Sequence, residues 1–431
     1  MVRHRSIALV AALAGVAVLL AYAIGPHPPT RSDSPNVAAR TDPAPFVMPP
    51  FAGLPRDPSG PYGDGLAVTP PMGWNGYNHF HHAVTADTVR AMARVLVTSG
   101  MKALGYTYVN LDGGWDLPKR SADGELVPDP KKFPQGIGPV AGYVHALGLK
   151  FGIYASAGLK NCARTSAGSY GHYVQDADTF ASWGVDYVKL DWCDIPFGDY
   201  AGVDHAVLGS HLARQFGEAI LATGRPMMLD LNDTELPVSG WAPGLGNMWR
   251  TAPDIRATYE SVLGNFTCDM SLYRMAGRDH WNDPDMLEVG NAGLSPIEQR
   301  TQFSLWAEMA APLIAGNDLT NMSHDTFAIL TNTQIIAVDQ DALGVQGYPV
   351  TNTGGHWVLT KPLEDGSRAI VLFDATGKPA VIGTTIAAIG LSGASNYQLR
   401  DVWSGAVLST TGRIAALVPA HGVAMYVVSP A

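Results

Sequence analysis

Cysteine is scarce in this sequence. The 431-residue chain has three, Cys162, Cys193 and Cys268. They are too few for a disulfide-built scaffold and too far apart for a zinc ribbon. Charge is scarce too: 15% of residues are Asp, Glu, Lys or Arg, with 28 basic against 38 acidic and a net charge of -10. No basic block lies beyond the first few residues, which excludes the clustered positive face that nucleic acid requires. No G-x-G-x-x-G follows the first strand, which argues against an open dinucleotide-binding sheet. His79-Phe80-His81 has the H-x-H form of a metal pair, but the later strand ends carry Asp or Arg in place of further His ligands. The expectation is therefore a polar loop after the first strand, with no metal and no cofactor. No internal repeat is visible.

Apolar residues are plentiful. At 46% they can bury a large core, and the length fits about two or three domains or one barrel with an appendage. The chain opens with the basic Met1-Val2-Arg3-His4-Arg5-Ser6, followed by an uncharged run over 7–25 that contains Ala21-Tyr22-Ala23. Such a run is long for a signal-peptide core and barely spans a bilayer, so residues 1–25 read as a cleaved signal peptide or a retained N-terminal anchor. Either reading makes the protein secreted or extracellular, with membrane attachment in the second case. Residues 26–66 are rich in Pro, Ser, Asp and Ala and read as a linker.

Short apolar runs then alternate with amphipathic stretches. Strands are expected at 106–111, 150–155, 185–190, 226–231, 247–250 and 313–315. Helices are expected at 86–99, 139–147, 174–183, 205–222, from about 255, at 295–310 and, last, at 325–330. About eight strand–helix units over roughly 270 residues imply an α/β fold, a closed (β/α)8 TIM barrel over 67–346. From 347 to 431 only strand-like runs remain, with the turn pairs Asp365-Gly366 and Ser404-Gly405 between them. This tail reads as a C-terminal antiparallel β-sandwich domain.

Catalysis in such a barrel sits where strands end and βα-loops begin. The polar residues there are Asp112, Asp191, Arg250 with Asp254 four residues on, and the acids of Trp281-Asn282-Asp283-Pro284-Asp285. Carboxylates converging on one mouth point to acid/base and nucleophilic chemistry. In Tyr187-Val188-Lys189-Leu190-Asp191 the strand period puts Tyr187, Lys189 and Asp191 on one side. A Lys beside an Asp lowers the acid's pKa, as a nucleophile needs; the same two residues equally fit a structural ion pair.

Six collinear segments resemble glycoside hydrolase family 27, the α-galactosidase or melibiase family: Thr69-Pro70-Pro71-Met72-Gly73-Trp74, Phe133 to Ile137, Gly148 to Ala155, Trp183 to Asp191, Trp281 to Leu287 and Asn317-Asp318-Leu319. The resemblance implies a retaining α-glycoside hydrolase acting on an oligosaccharide or polysaccharide. It implies Asp191 as nucleophile and Asp254 as acid/base. It further implies Trp74 as the aromatic floor of the sugar pocket, with Asp112, Tyr154, Lys189, Asn232, Arg250 and Asp285 lining it. It also implies a Cys162–Cys193 disulfide beside the site, which leaves Cys268 as a buried free thiol. Two segments depart from the family. Gly113 and Gly114 stand where a second acid and a cysteine are usual, and Leu231, Asn232 and Asp233 replace a Cys–polar–Trp triplet. These changes touch sugar recognition, so an isomalto-dextranase-like or β-L-arabinopyranosidase-like specificity is the alternative. A non-catalytic carbohydrate-binding protein is the rival from another class; the presence of both Asp191 and Asp254 argues against it.

Overall fold

The computed structural model describes residues 65–232 and 241–431, which lie within a compact unit spanning Val47–Ala431. Residues 1–25 and nearly all of the linker expected at 26–66 lie outside the described residues. Eight parallel strands form one sheet: β1 Met72–Asn75, β2 Tyr108–Leu111, β3 Lys150–Ser156, β4 Tyr187–Asp191, β5 Met228–Asn232, β6 Met248–Arg250, β7 Trp281–Asp283 and β8 Leu313–Ala315. Their order is β7-β6-β5-β4-β3-β2-β1-β8. A parallel bridge between Leu287, just past β7, and Ala315 of β8 joins the two ends into a barrel.

Both faces of these strands are covered, so they are short and almost wholly buried. Side chains alternate between the helix layer and the barrel interior. Tyr108, Tyr187, Met228, Met248 and Trp281 plug the N-terminal end of the interior together with Ala67. The Trp281 indole donates to the Ala67 carbonyl at 2.7 Å, so the entering chain seals this end. Polar residues occupy the other end. Lys189 lies level with Tyr154 and Asp230, Asp191 with Ser156 and Asn232, and Arg250 with Asp283.

The crossover helices follow from local chemistry. Helix Ala86–Thr98 buries Val89, Met92, Ala93 and Leu96 on one stripe, and a Thr85 capping box starts it. Helix Pro296–Met309 starts with a Ser295–Glu298 capping box and stops at Ala310, whose φ is 52°. Three elements differ from the sequence reading. Trp281–Asp283 is the seventh barrel strand; at three residues it is too short to show a strand period. A further helix, Thr333–Asp339, follows the one expected to be last, with Asn332 as its cap. The loop expected after β1 is a short helix, Tyr77–Phe80, and a 3-10 turn, His81–Ala83.

The C-terminal strands are β9 Tyr348–Thr353, β10 His356–Pro362, β11 Arg368–Asp374, β12 Ala380–Thr385, β13 Tyr397–Asp401, β14 Val407–Thr410, β15 Arg413–Val418 and β16 Val423–Pro430. Six form an antiparallel sheet, β14-β13-β16-β11-β10-β9, and β12 pairs with β15 in a second. Ile370, Leu372, Ile382, Ile414 and Val428 fill the space between the sheets. The other face packs on the barrel, where Phe266 meets Trp357 and Phe373 edge-on and Trp403 donates to Ser304 at 3.1 Å. Among the described residues no helix is long and apolar enough to cross a membrane.

Several acids sit deep in this structure. Burial pushes Asp116 and Asp269 up to about 7 and Glu308 up to about 8. The folded chain therefore keeps protons that the unfolded chain releases near the usual carboxylate range of about 4. More protons bound when folded means stability falls as pH climbs from about 4 towards 7 or 8. His211 and His280, whose pKa burial lowers, act in the opposite sense but are fewer. Thermal melts are expected to show a higher Tm near pH 5 than near pH 8; a Tm that rises over this interval contradicts the assignment.

Candidate active site

Asp112 directly follows β2. Its carboxylate accepts hydrogen bonds from Lys189 Nζ at 2.8 Å and Asn75 Nδ2 at 2.7 Å on Oδ2, and from the Gly113 N–H at 2.7 Å on Oδ1. Burial pushes its pKa up, but the Lys189 charge and these bonds outweigh burial and hold it below the usual range. The partner of Lys189 is thus Asp112, reached across β3, and not Asp191 as the strand period alone suggested. Burial opposes the charge on Lys189, yet Asp112, Asp191 and Asp285 together hold it protonated.

Asp191 ends β4. Burial raises its pKa to about 6, while the Lys189 charge and a Tyr154 hydrogen bond pull the other way. The expectation that Lys189 would lower this acid below its ordinary value is therefore corrected. Desolvation wins, because the Lys189 ammonium is committed to Asp112. Asp191 Oδ1 also accepts from the Trp192 N–H at 3.2 Å. Cys162 and Cys193 are joined in a disulfide with Cα atoms 4.9 Å apart, and Cys162 Sγ lies 3.0 Å from Asp191 Oδ2. Among the described residues Cys162, Asp191 and Cys193 form the one cluster close enough to hold a metal. Its two sulfurs are bonded to each other and offer no thiolate. Cys268, expected to be buried, is exposed on the outer face of helix Tyr259–Met270.

Arg250 ends β6 and is 1% exposed. Its Nη2 donates to Asp254 Oδ1 at 3.0 Å and to the Ala252 carbonyl at 3.2 Å, and forms an ion pair with Asp285 Oδ2 at 3.0 Å. Asp285 is buried with φ 77°. It also accepts from the N–H groups of Ile255 at 2.9 Å and Met286 at 2.8 Å. Asp254 is the exposed member, with 85% of its side-chain surface open. The Arg250 charge holds its carboxyl below the usual range.

Tyr154 is buried behind Asp191, its backbone carbonyl held by the Trp115 indole at 3.0 Å. Asn232 stands level with Asp191 on β5. It lines a small cavity with Leu190, Trp192, Leu231 and Trp241.

Trp74 does not line the site. It is 0% exposed, and its indole donates to the Asn317 carbonyl at 2.8 Å. A strand residue pointing into the helix layer cannot touch a ligand. The aromatic side chain at the mouth is Tyr77, three residues on. Burial raises its pKa, and Asp112, Lys189, Asp254 and Asp191 all act on its hydroxyl. The signal for it was available: Tyr77 is the first aromatic past the end of β1, where strand-end logic applies.

The departures at 113 and 114 have physical correlates. A Cβ on Gly113 would meet the Tyr154 ring at 3.5 Å, an ordinary contact, so the position where a second acid is usual lies open. Gly114 has φ 94°, and a Cβ there would collide with His82 Nδ1. His82 itself lies 3.3 Å from the Gly113 carbonyl. His79, half of the H-x-H pair, meets Asn291 Oδ1 at 3.0 Å.

The family model described as alpha galactosidase A matches residues 69–341, and that of the alpha galactosidase C-terminal beta sandwich domain matches residues 353–428. The alpha-galactosidase of Cyamopsis tetragonoloba is 39% identical over 376 residues, which is 85% of this chain and 88% of that protein. The crystal structure of alpha-galactosidase I from Mortierella vinacea superposes with a TM-score of 0.81 at 32% identity, covering 85% of this chain and 98% of that one. A β-L-arabinopyranosidase from Geobacillus stearothermophilus reaches 0.76 at 25% identity, covering 86% and 98%.

Trp74 and Tyr77 separate packing from ligand contact. Trp74→Phe removes buried volume and leaves the Asn317 carbonyl unpaired, so it should cost about 1–3 kcal/mol of stability with KM unchanged. Tyr77→Ala should leave Tm nearly unchanged and raise KM about tenfold. Steady-state kinetics with thermal melts decide this; a raised KM in the Trp74 variant alone would reverse the two roles.

Proposed function

The chain belongs to the α-galactosidase family, glycoside hydrolase family 27, and is a glycoside hydrolase with α-galactosidase activity; we propose that it works with retention, using Asp191 as nucleophile and Asp254 as acid/base. The observation that carries the assignment is the contrast between two neighbouring carboxyls. Asp191 is half-buried beside Lys189, Tyr154 and a disulfide, and becomes ionised above about pH 6. Asp254 is exposed at the end of a loop anchored by Arg250, where it can meet the leaving group and then water.

In the first step Asp191 Oδ attacks the anomeric carbon, and Asp254 gives its proton to the departing oxygen. In the second, Asp254 takes a proton from water, whose oxygen displaces Asp191 from the same carbon. Arg250 keeps Asp254 ionised in the free chain. A bound sugar and its leaving group cover the exposed carboxylate and strip its water, which raises its proton affinity to suit an acid. Lys189 and Asp112 present a charged donor and a charged acceptor to sugar hydroxyls, each such bond being worth roughly 1.5–3 kcal/mol. Tyr77 supplies the aromatic contact in place of Trp74. Asp285 accepts from the Ile255 and Met286 N–H groups and pairs with the Arg250 charge, which leaves lone-pair positions on its carboxylate for a sugar hydroxyl. Tyr154 and Asn232 complete the walls beside the nucleophile.

The proposed organisation is a catalytic barrel over 67–346 and a β-domain over 347–431. Export through residues 1–25 is part of the proposal, supported by the basic start, the uncharged run and Ala21-Tyr22-Ala23. The open position at Gly113 and the likeness to a β-L-arabinopyranosidase favour one second reading, a changed sugar preference. Hydrolysis of nitrophenyl α-galactoside well above nitrophenyl β-L-arabinopyranoside supports galactose; the reverse order supports the second reading.

Asp191→Asn should abolish hydrolysis with the fold intact. Asp254→Ala should lose about 10²–10⁴-fold on an oligosaccharide and much less in the first step with an activated aryl glycoside, and azide should restore turnover. Azide rescue of Asp285→Ala and not of Asp254→Ala would move the acid/base role to Asp285.

A further inference from the structure

Among the described residues the exposed Asp254 carboxylate has one hydrogen-bonded side-chain partner, Arg250, so its position is set largely by the backbone on either side. Both neighbours are fixed by side-chain amides and a buried acid. Asn265 Nδ2 donates to the Pro253 carbonyl at 2.9 Å and to the Pro284 carbonyl at 2.8 Å. The Ile255 N–H donates to Asp285, and the Ile255 carbonyl accepts from Asn78 Nδ2 at 3.2 Å. Asn78 belongs to the short helix after β1, so it bridges two separate loops of the barrel mouth.

Asn78 is itself held by Glu288, a carboxyl that no step of the hydrolysis uses. Glu288 is 1% exposed. Its Oε1 accepts from Asn78 Nδ2, and its Oε2 accepts from Asn291 Nδ2 at 2.7 Å. Asn291 is anchored in turn on the Gly316 carbonyl at 3.2 Å and on His79. The Asn78 amide group has two hydrogens; one goes to Glu288 and the other to Ile255. The buried acid thereby decides which way the amide faces. If the amide turned over, its oxygen would oppose both the carboxylate and the Ile255 carbonyl.

We propose that Asn78, oriented by Glu288, is a positioning residue for the acid/base, fixing Ile255 and through it the reach of Asp254 towards the leaving oxygen. This rests on the acid/base reading of Asp254. Burial pushes Glu288 up to about 7, and the protonated form still offers one oxygen to Asn78. Glu288→Gln offers the same oxygen and is the conservative control.

The test compares Asn78→Ala on an α-galactosyl oligosaccharide and on an activated aryl α-galactoside, in the wild-type and Asp254→Ala backgrounds. A displaced catalytic group costs up to about a hundredfold. The expected result is a loss of about ten- to a hundredfold in kcat/KM on the oligosaccharide, a far smaller loss on the aryl substrate, and near-wild-type kinetics for Glu288→Gln. With Asp254 already removed and azide present, Asn78→Ala should cost nothing further. Equal losses on both substrates, or a loss that persists without Asp254, would overturn the proposal. A flat leaving-group response in Asp254→Ala alone is a different result and overturns the acid/base reading instead.

Discussion

Two cations, the half-buried Lys189 and the buried Arg250, make the charge pattern of this barrel mouth tenable. Asp112, Asp191, Asp254, Asp283 and Asp285 crowd one end of the interior, and like charges at such distances cannot all stay ionised unaided. Lys189 bonds Asp112 and acts on Asp191 and Asp285; Arg250 bonds Asp254 and Asp285 and acts on Asp283. Two of the acids in direct contact with a cation, Asp112 and Asp254, are held below their ordinary range. Those a step removed, Asp191 and Asp283, rise to about 6. Distance from two side chains thus sorts chemically identical carboxyls into different roles.

The fold places those cations. Lys189 and Arg250 sit at the C-terminal ends of β4 and β6, above an apolar plug that keeps water from the N-terminal end of the interior. The loops then add what strand ends cannot. The disulfide ties the loops after β3 and β4 beside the nucleophile. The amides of Asn265 and Asn78 fix the loop after β6 beside the acid/base. The nucleophile stands on a strand and the acid/base on a braced loop, which suits one group that attacks from a fixed point and another that must serve first an oxygen and then a water.

Much of this was legible in the sequence because barrel chemistry is written at strand ends. Asp112, Asp191 and Arg250 each close or directly follow a recognisable apolar run, and the strand–helix rhythm gave the architecture. What stayed hidden depends on relations between strands. The Lys189–Asp112 pair spans β3, and no period along one strand reports a partner two strands away. Trp74 carries the motif but sits on a strand face turned into the helix layer, so Tyr77 takes the place at the mouth. The exposed Cys268 belongs to a helix whose buried stripe is Val262, Phe266, Asp269 and Met270. That stripe contains a buried Asp bonded to Thr251 and Gln346, which hydropathy alone places on the outside.

The central claim is that Asp191 forms a covalent bond to the sugar. A slow fluorinated α-galactosyl substrate, which forms the glycosyl-enzyme readily and releases it slowly, allows that bond to be seen. Mass spectrometry of the proteolysed, trapped protein should find one added sugar on the peptide carrying Tyr187-Val188-Lys189-Leu190-Asp191, with fragmentation placing it on Asp191. A label on Asp254 or Asp285, or turnover with no trapped species at all, would contradict the account.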